Sequence, residues 1–363
     1  MVQAKEELNQ LSDYVPGKSI EEICEQYKIT SAVKLASNEN ALGASPKAKE
    51  VFRQMADFLH LYPRGNAPHL ISALANKFQT KKENIIIGNG SDEIIDMIGK
   101  AFIEKGDECL GIRATFSVYK FTTLSNGGVF KSVHSGETRP ELSLYLNAIT
   151  EKTKVIFICN PNNPTGFYYT EQELLDFISE VPKHILVFID EAYAEYAEAK
   201  DYPQLAKYLE KVENVLLNRT FSKIYGLAGL RLGYAFSSES VIKALWKIKP
   251  PFDVNLVVQT AAIAALNDKE HVEKTLKMNK SGKSFLTKEL KNLGFEVLPS
   301  EANFIAVHIG ENAKALLPFL ESHGLIVRHL ASFSLPEWIR VTIGKQEENE
   351  LFISLLKAWK SNV

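Results

Sequence analysis

KVIFICNPNNPTG, residues 154–166, runs after Lys154 through five consecutive apolar residues, Val155 to Cys159, and ends in a cluster of Asn, Pro and Gly. A strand that faces water on one side alternates polar and apolar residues. A run without alternation, closed by turn formers, instead suits a sheet covered on both faces. HILVFID (184–190) has the same form, and NIIIG (84–88), CLGI (109–112), VFKSV (129–133) and NVLLNR (214–219) read as further strands. Between them lie amphipathic stretches, among them SDEIIDMIGKAF (91–102), which Ser91 can cap, and EQELLDFISEV (171–181). The alternation predicts an α/β layer, a mostly parallel sheet flanked by helices, in which ligands gather at the carboxyl ends of the strands.

At 363 residues the chain is longer than a usual single core, so a second, smaller domain is expected. The pattern changes after KPPFD (249–253). Two long helical stretches (255–267 and 269–292) lead to FEVL, NFIAVH, a helix near 311–323, LIVRH, WIRVTI and a last helix from about 347. This predicts a large domain over 31–250 and a small α+β domain over 251–363, with residues 1–30 packing on the latter. The 42 Lys and Arg nearly balance the 44 Asp and Glu, so no net charge recruits nucleic acid or an acidic membrane. The N-terminus has neither a signal-peptide nor a transit-peptide pattern, and no apolar run reaches the ~18 residues of a membrane span. Three cysteines without CxxC spacing argue against a disulfide framework and a zinc site, and fit a cytoplasmic location.

Four strand ends carry polar residues: GNGSDE (88–93), CNPNNPTG (159–166), IDEAY (189–193) and RTFSK (219–223). Taken singly, each also has a plain structural reading. Asp190 fits a helix cap, NPNNPTG a turn, and Lys223 a surface lysine. Gly88 and Gly90 begin a dinucleotide fingerprint, but Glu93 stands where its third glycine belongs. What remains there is a helix N-terminus able to hold a phosphate. Together the four ends combine a phosphate cradle, an acid, hydrogen-bonding Asn and Tyr, and a lysine. Pyridoxal 5'-phosphate needs that set: an amine for its aldehyde, an acid for its pyridine nitrogen, donors for its ring oxygen and partners for its phosphate.

On these motifs, and on YVPGK, KLASNEN, LYPRG, TFSVY, DEAYAEY, TFSKIYGLAGLR, ANFIAV and LIVRHLASFSLPEWIRVTIG, the chain resembles the fold-type I pyridoxal-phosphate-dependent aminotransferases, and among them the histidinol-phosphate aminotransferases. The resemblance implies that Lys223 is the Schiff-base lysine and the proton shuttle. It implies that Asp190 pairs with the pyridinium nitrogen, that Tyr193 and Asn163 hydrogen-bond the ring oxygen, and that Phe116 stacks on the ring. The backbone of Ser91 and Asp92, with the side chains of Ser222 and Arg231, would bind the phosphate, joined by Tyr62 from the neighbouring subunit of a homodimer. Arg340, Arg328 and Tyr14 would bind the substrate's anionic group.

The activity implied is reversible transfer from L-histidinol phosphate to 2-oxoglutarate, giving imidazole acetol phosphate and L-glutamate in histidine biosynthesis, by a ping-pong route through pyridoxamine phosphate. Aromatic amino acid aminotransferases and a threonine-phosphate decarboxylase share the pattern, and the residues leave both open. Two positions depart from it: Ile224, where a small residue follows the lysine, and Ser334, where a glycine is frequent.

Overall fold

The structure, a computed structural model, describes residues 2–11, 17–134, 136 and 138–361. Twelve strands follow one another there: β1 (Val33–Leu35), β2 (Ile85–Gly88), β3 (Glu108–Gly111), β4 (Val129–Ser132), β5 (Thr153–Cys159), β6 (Leu186–Asp190), β7 (Val215–Thr220), β8 (Gly233–Ser237), β9 (Glu296–Val297), β10 (Phe304–His308), β11 (Leu325–His329) and β12 (Trp338–Thr342). Seven form one sheet in the order β2-β8-β7-β6-β5-β3-β4, and five form a second, β1-β11-β12-β10-β9. All neighbours in the larger sheet run parallel except β8, which is antiparallel to both β2 and β7. The α/β class expected from the sequence is therefore the observed one. The expectation lacked β8, whose GYAFS is short and begins with a residue that weakens strands.

The missing alternation in β5 and β6 has a direct cause. Ile156, Ile158, Val187 and Ile189 enter the core on one face of the sheet, while Val155, Phe157, Leu186 and Phe188 enter a separate core on the other. The second core is closed by Ile94, Ile95 and Ile98 of the helix Ser91–Phe102 and by Ile242 and Leu245 of Glu239–Ile248. Each such side chain contributes about 1.5–3 kcal/mol by leaving water, so neither face tolerates a polar residue.

The smaller sheet packs Leu35, Val307, Val327, Ile339 and Val341 against Leu286, Leu290, Leu316, Phe352 and Leu356. The chain crosses between the two cores more often than its composition suggests. Strand β1 pairs with β11 in the smaller sheet, with Val33 opposite Leu325, so the chain joins that sheet beyond residue 30. The short 3-10 helix Glu6–Gln10 lies on the large domain, where Glu7 meets Lys105 at 3.0 Å. The helix Leu256–Leu266 sends Val258, Ala261, Ala262 and Ala265 into the large core. The crossing is instead made by the helix Lys269–Asn292, whose 24 residues span about 36 Å. No described helix is long and apolar enough to cross a membrane.

Candidate active site

Strands β2, β7, β6 and β5 end at one edge of the large sheet, and the antiparallel β8 begins there. Gly233 lies opposite both Gly88 and Thr220. Arg231, two residues before β8, is thereby delivered to the carboxyl ends of strands that are distant in sequence. This one reversal of direction assembles the cradle.

The cradle is the N-terminus of the helix Ser91–Phe102. Its N-cap is Gly90, with φ 86° and no side-chain cap, whereas Ser91, expected as the cap, is the first helical residue. The first-turn N–H groups and the helix dipole thus face the sheet edge, the arrangement that attracts an anion. Arg231 approaches from the other side, with its NH2 3.3 Å from Asp92 Oδ2. A Cβ at Gly90 would lie 2.4 Å from Arg231 NH2, and one at Gly233 would lie 2.4 Å from Ser91 N. Glycine at both places is what lets guanidinium and backbone close on one point. Ser222 sits buried beside them, its N–H donating to Thr220 Oγ1 at 3.0 Å.

Asp190, at the end of β6, is 3 % exposed. Its carboxylate accepts from Tyr119 OH (2.7 Å), Asn218 Nδ2 (3.2 Å) and the Ala192 N–H (3.2 Å). Burial nevertheless pushes its pKa up to about 6, against those three donors. Among the described residues no cation forms a salt bridge with it. Lys223 complements it: its Nζ donates to the Ser37 carbonyl at 3.0 Å and lies 5.7 Å from the Tyr193 ring. Burial, and after it the charge of Arg340, bring the ammonium down to about 8, with Glu39 and Asp92 opposing. Near neutral pH a share of this amine is therefore neutral and nucleophilic.

Tyr193 OH accepts from Asn38 Nδ2 at 2.9 Å, and its ring stands edge-on to Phe304 at 5.1 Å. Asn163 Oδ1 accepts from Arg340 NH1, and Arg340 NH2 donates to the Ala36 carbonyl at 2.6 Å. Arg340 and Arg328 face each other across β12 and β11. Arg340 is buried, while Arg328 is more open and donates to Ser332 Oγ at 3.3 Å. Phe116 is half-buried, edge-on to Tyr119 at 5.7 Å. Tyr62 stands apart, 82 % exposed, with its ring 5.0 Å from that of Phe252. Tyr14 lies outside the described residues.

The two departures resolve differently. Ile224 is fully buried in the large core, where its bulk is packed. Ser334 adopts the left-handed φ of 65° that a glycine would take freely, and its Oγ accepts from Arg113 Nε at 2.6 Å. Four contributors carried no role in the sequence reading: Tyr119, Asn218, Asn38 and the Ser37 carbonyl. Their signals were faint. Tyr119 follows Phe116 by one helical turn, Asn218 is a polar residue inside VLLNRT, and Asn38 is one of two asparagines in SNEN.

Residues 30–356 match the family model described as aminotransferase class I and II. The chain is 42% identical over 354 residues to a histidinol-phosphate aminotransferase of Moorella thermoacetica, covering 97% of this chain and 92% of that one. It is 40% identical to a histidinol-phosphate aminotransferase of Geobacillus sp. (strain WCH70), with 98% and 97% covered. Among solved structures, histidinol-phosphate aminotransferase from Sinorhizobium meliloti in complex with pyridoxal-5'-phosphate superposes with a TM-score of 0.92 at 27% identity, over 100% of this chain and 99% of that one. L-threonine-O-3-phosphate decarboxylase from Porphyromonas gingivalis has the same fold, with a TM-score of 0.79 at 20% identity, covering 91% and 99%.

Proposed function

The chain belongs to the class I and II aminotransferase family, and from that premise we propose that it is a pyridoxal-phosphate-dependent transaminase of histidine biosynthesis. It moves the amino group of L-histidinol phosphate to 2-oxoglutarate, giving imidazole acetol phosphate and L-glutamate. The observation that carries this reading is a buried, partly neutral amine, Lys223, at one strand edge with a buried carboxylate, Asp190, that has no salt-bridged cation among the described residues. A lysine and an acid so placed fit an aldehyde at one end of a ring and a pyridinium nitrogen at the other. The close approach permitted by Gly90 and Gly233 leaves the helix N-terminus open to the phosphate.

Bound there, pyridoxal phosphate supplies an aldehyde that takes up amines and a ring that withdraws electrons from the carbon bearing the nitrogen. The chain's residues do the rest. Lys223 Nζ would hold the aldehyde group and, once free, would take the proton from the substrate's nitrogen-bearing carbon. Asp190 keeps the ring nitrogen protonated. Tyr193 and Asn163 would orient the ring oxygen, Phe116 would cover a ring face, and the backbone of Ser91 and Asp92 with the side chains of Ser222 and Arg231 would hold the phosphate. Arg340 and Arg328, on one face of two paired strands, suit forked hydrogen bonds to the donor's phosphate or the acceptor's carboxylate, so one pocket serves both half-reactions. Tyr14 joins them in this reading.

Phe58, Leu59, Leu61, Tyr62 and Phe252 are exposed, and Tyr62 packs on Phe252, which supports a homodimer in which Tyr62 completes the phosphate site of a second copy. The free thiols Cys24, Cys109 and Cys159 suit a reducing cytoplasm. The test is glutamate formation from 2-oxoglutarate with L-histidinol phosphate, set against phenylalanine as donor. A kcat/KM for histidinol phosphate at least about tenfold above that for phenylalanine, a 1.4 kcal/mol preference, is expected. The reverse preference makes the protein an aromatic aminotransferase. Carbon dioxide from threonine phosphate without glutamate makes it a lyase.

A further inference from the structure

The two arginines suited to the substrate's anionic group belong to one hairpin. Arg328 lies near the end of β11, opposite Arg340 in β12, and residues 330–337 join the two strands. This connection is folded tightly on itself: the Leu330 N–H donates to the Trp338 carbonyl at 3.0 Å, the Leu335 N–H donates to the Leu330 carbonyl at 3.1 Å, and His329 Nε2 lies 2.8 Å from the Pro336 carbonyl oxygen. Two serines in it each meet a guanidinium. Ser332 Oγ accepts from Arg328 of the same hairpin at 3.3 Å, whereas Ser334 Oγ accepts from Nε of Arg113 at 2.6 Å. Arg113 comes from the other sheet.

It follows the carboxyl end of β3 by two residues, at the edge where the parallel β5 and β6 deliver Asn163 and Asp190. The residues after it extend the seam. Ala114 is fully buried in one cluster with Ala306, Leu330, Phe333, Leu335 and Trp338, all from the smaller sheet and its hairpin. Its carbonyl accepts from Asn162 Nδ2 at 2.9 Å, and Thr115 Oγ1 donates to Asn162 Oδ1 at 2.8 Å. Asn163, next in the chain, accepts from Arg340. Two side-chain bridges thus hold the hairpin to the larger sheet, Arg113–Ser334 and Asn163–Arg340, and buried Asn162 ties their large-sheet ends together. Two features set the first bridge apart from an incidental surface contact. Ser334 keeps a left-handed φ of 65°, which costs a residue with a Cβ and costs glycine nothing, so what serine adds there is its hydroxyl. Arg113 directs Nε at that neutral hydroxyl and has no carboxylate partner among the described residues.

We propose that Arg113 and Ser334 are a positioning pair for the anion site: they clamp the β11–β12 hairpin to the larger sheet, fix where Arg328 and Arg340 stand relative to Lys223, and so set the preference for a phosphate-bearing donor. The inference rests on the cofactor and donor reading above. Neither side chain moves a proton. The pair acts on where the phosphate is held, and forked, charge-assisted hydrogen bonds are demanding in geometry. Contacts to a phosphate remote from the reacting carbon are made alike before and during the chemistry, so losing their alignment raises the half-saturating concentration and leaves the limiting rate nearly unchanged.

The test uses holoenzyme of the wild type, Arg113→Gln, Ser334→Gly and the double variant. The loss of visible absorbance in a single turnover is followed against L-histidinol phosphate and against L-histidinol, the same amine without phosphate, and urea unfolding is measured alongside. Each single variant is expected to raise the half-saturating concentration of L-histidinol phosphate about tenfold, with the limiting rate within about twofold and the response to L-histidinol near wild type. The double variant should match the single ones, since all three remove one interaction. Ser334→Gly should also keep or raise the urea midpoint, because glycine relieves the left-handed backbone; a serine with only a structural role would then leave the kinetics untouched. A wild-type half-saturating concentration in either single variant, an equal rise with L-histidinol, or additive effects in the double variant would overturn the pair. A wild-type holoenzyme whose absorbance does not respond to L-histidinol phosphate would instead overturn the donor reading on which it stands.

Discussion

Asp190 and Glu191 are neighbours in sequence, both carboxylates, both buried, and they serve opposite faces of the sheet edge. Asp190 is met by three neutral donors. Glu191 is met by Arg219 at 2.8 Å, and that guanidinium also reaches Glu195 at 3.5 Å and stacks 5.0 Å from the ring of Phe78. The partner strand repeats the division, since Asn218 serves the front and Arg219 the back. Successive strand residues point to opposite sides, so one dipeptide on each strand builds both arrangements. The back is an ion pair buried within the chain. The front holds an acid whose charge lacks a salt-bridged cation among the described residues, which is how a site for a cationic ring differs from structural electrostatics.

The sharpest break of that contrast is on the front. Lys223→Ala should lower transamination by about 10⁴-fold, the upper range for a lost acid–base group, and leave purified protein without the visible absorbance of a lysine-bound cofactor. Next come the two carboxylates, changed in parallel. Asp190→Asn should lower kcat by about 10²- to 10⁴-fold without destabilising the fold in urea unfolding. Glu191→Gln should do the reverse, costing about 3–5 kcal/mol in urea unfolding by leaving Arg219 buried without its partner, while kcat per folded active site stays near wild type. Equal effects of both changes on kcat would erase the distinction between the faces.

A third comparison uses pH. The Asp190 carboxyl titrates near 3.8 when unfolded and near 6 in the cofactor-free fold. The raised folded value means the fold favours the protonated acid. Its contribution is full below about pH 4 and is lost as pH rises through about 6. Unfolding of the cofactor-free protein, measured against Asp190→Asn, should show the wild type losing up to about 3 kcal/mol relative to the variant over that window. A flat difference would mean that Asp190 is better solvated than its surroundings indicate.

The smallest effect expected is at Arg340. Arg340→Gln should raise KM for 2-oxoglutarate by about ten- to a hundredfold through loss of charged hydrogen bonds. It also removes a positive charge that presses Lys223 down, so the rise with pH in the rate at which cofactor-free protein captures pyridoxal phosphate, centred near 8, should move to higher pH. A shift to lower pH would show that the charge of Arg340 does not reach the amine.

Much of the fold was legible because burial on both faces leaves a mark in one dimension. VIFIC and LVFID lie inside observed strands, and the helix over 269–292 has the limits its pattern suggested. What escaped notice depended on partners. Strand β8 has no strong pattern of its own, and the helix Leu256–Leu266 reads as small-domain until the large core is seen to receive it. In the site, Lys223, Asp190 and Arg231 stood out because charge inside an apolar run is conspicuous. Asn38, Tyr119 and Asn218 were hidden, since a hydrogen-bonding residue reveals itself only with its partner. Asn38 meets Tyr193 across 155 positions of sequence.

By itself, then, the sequence determined the α/β layer, the polar strand ends and the lysine, because local periodicity and turn chemistry are properties of neighbouring residues. Only the tertiary structure decided which carboxylate faces the site and that β8 runs backward to bring Arg231 to the helix end. Direction, face and long-range pairing arise when separate segments compete for the same space and the same hydrogen-bond partners, and no single stretch of chain contains that competition.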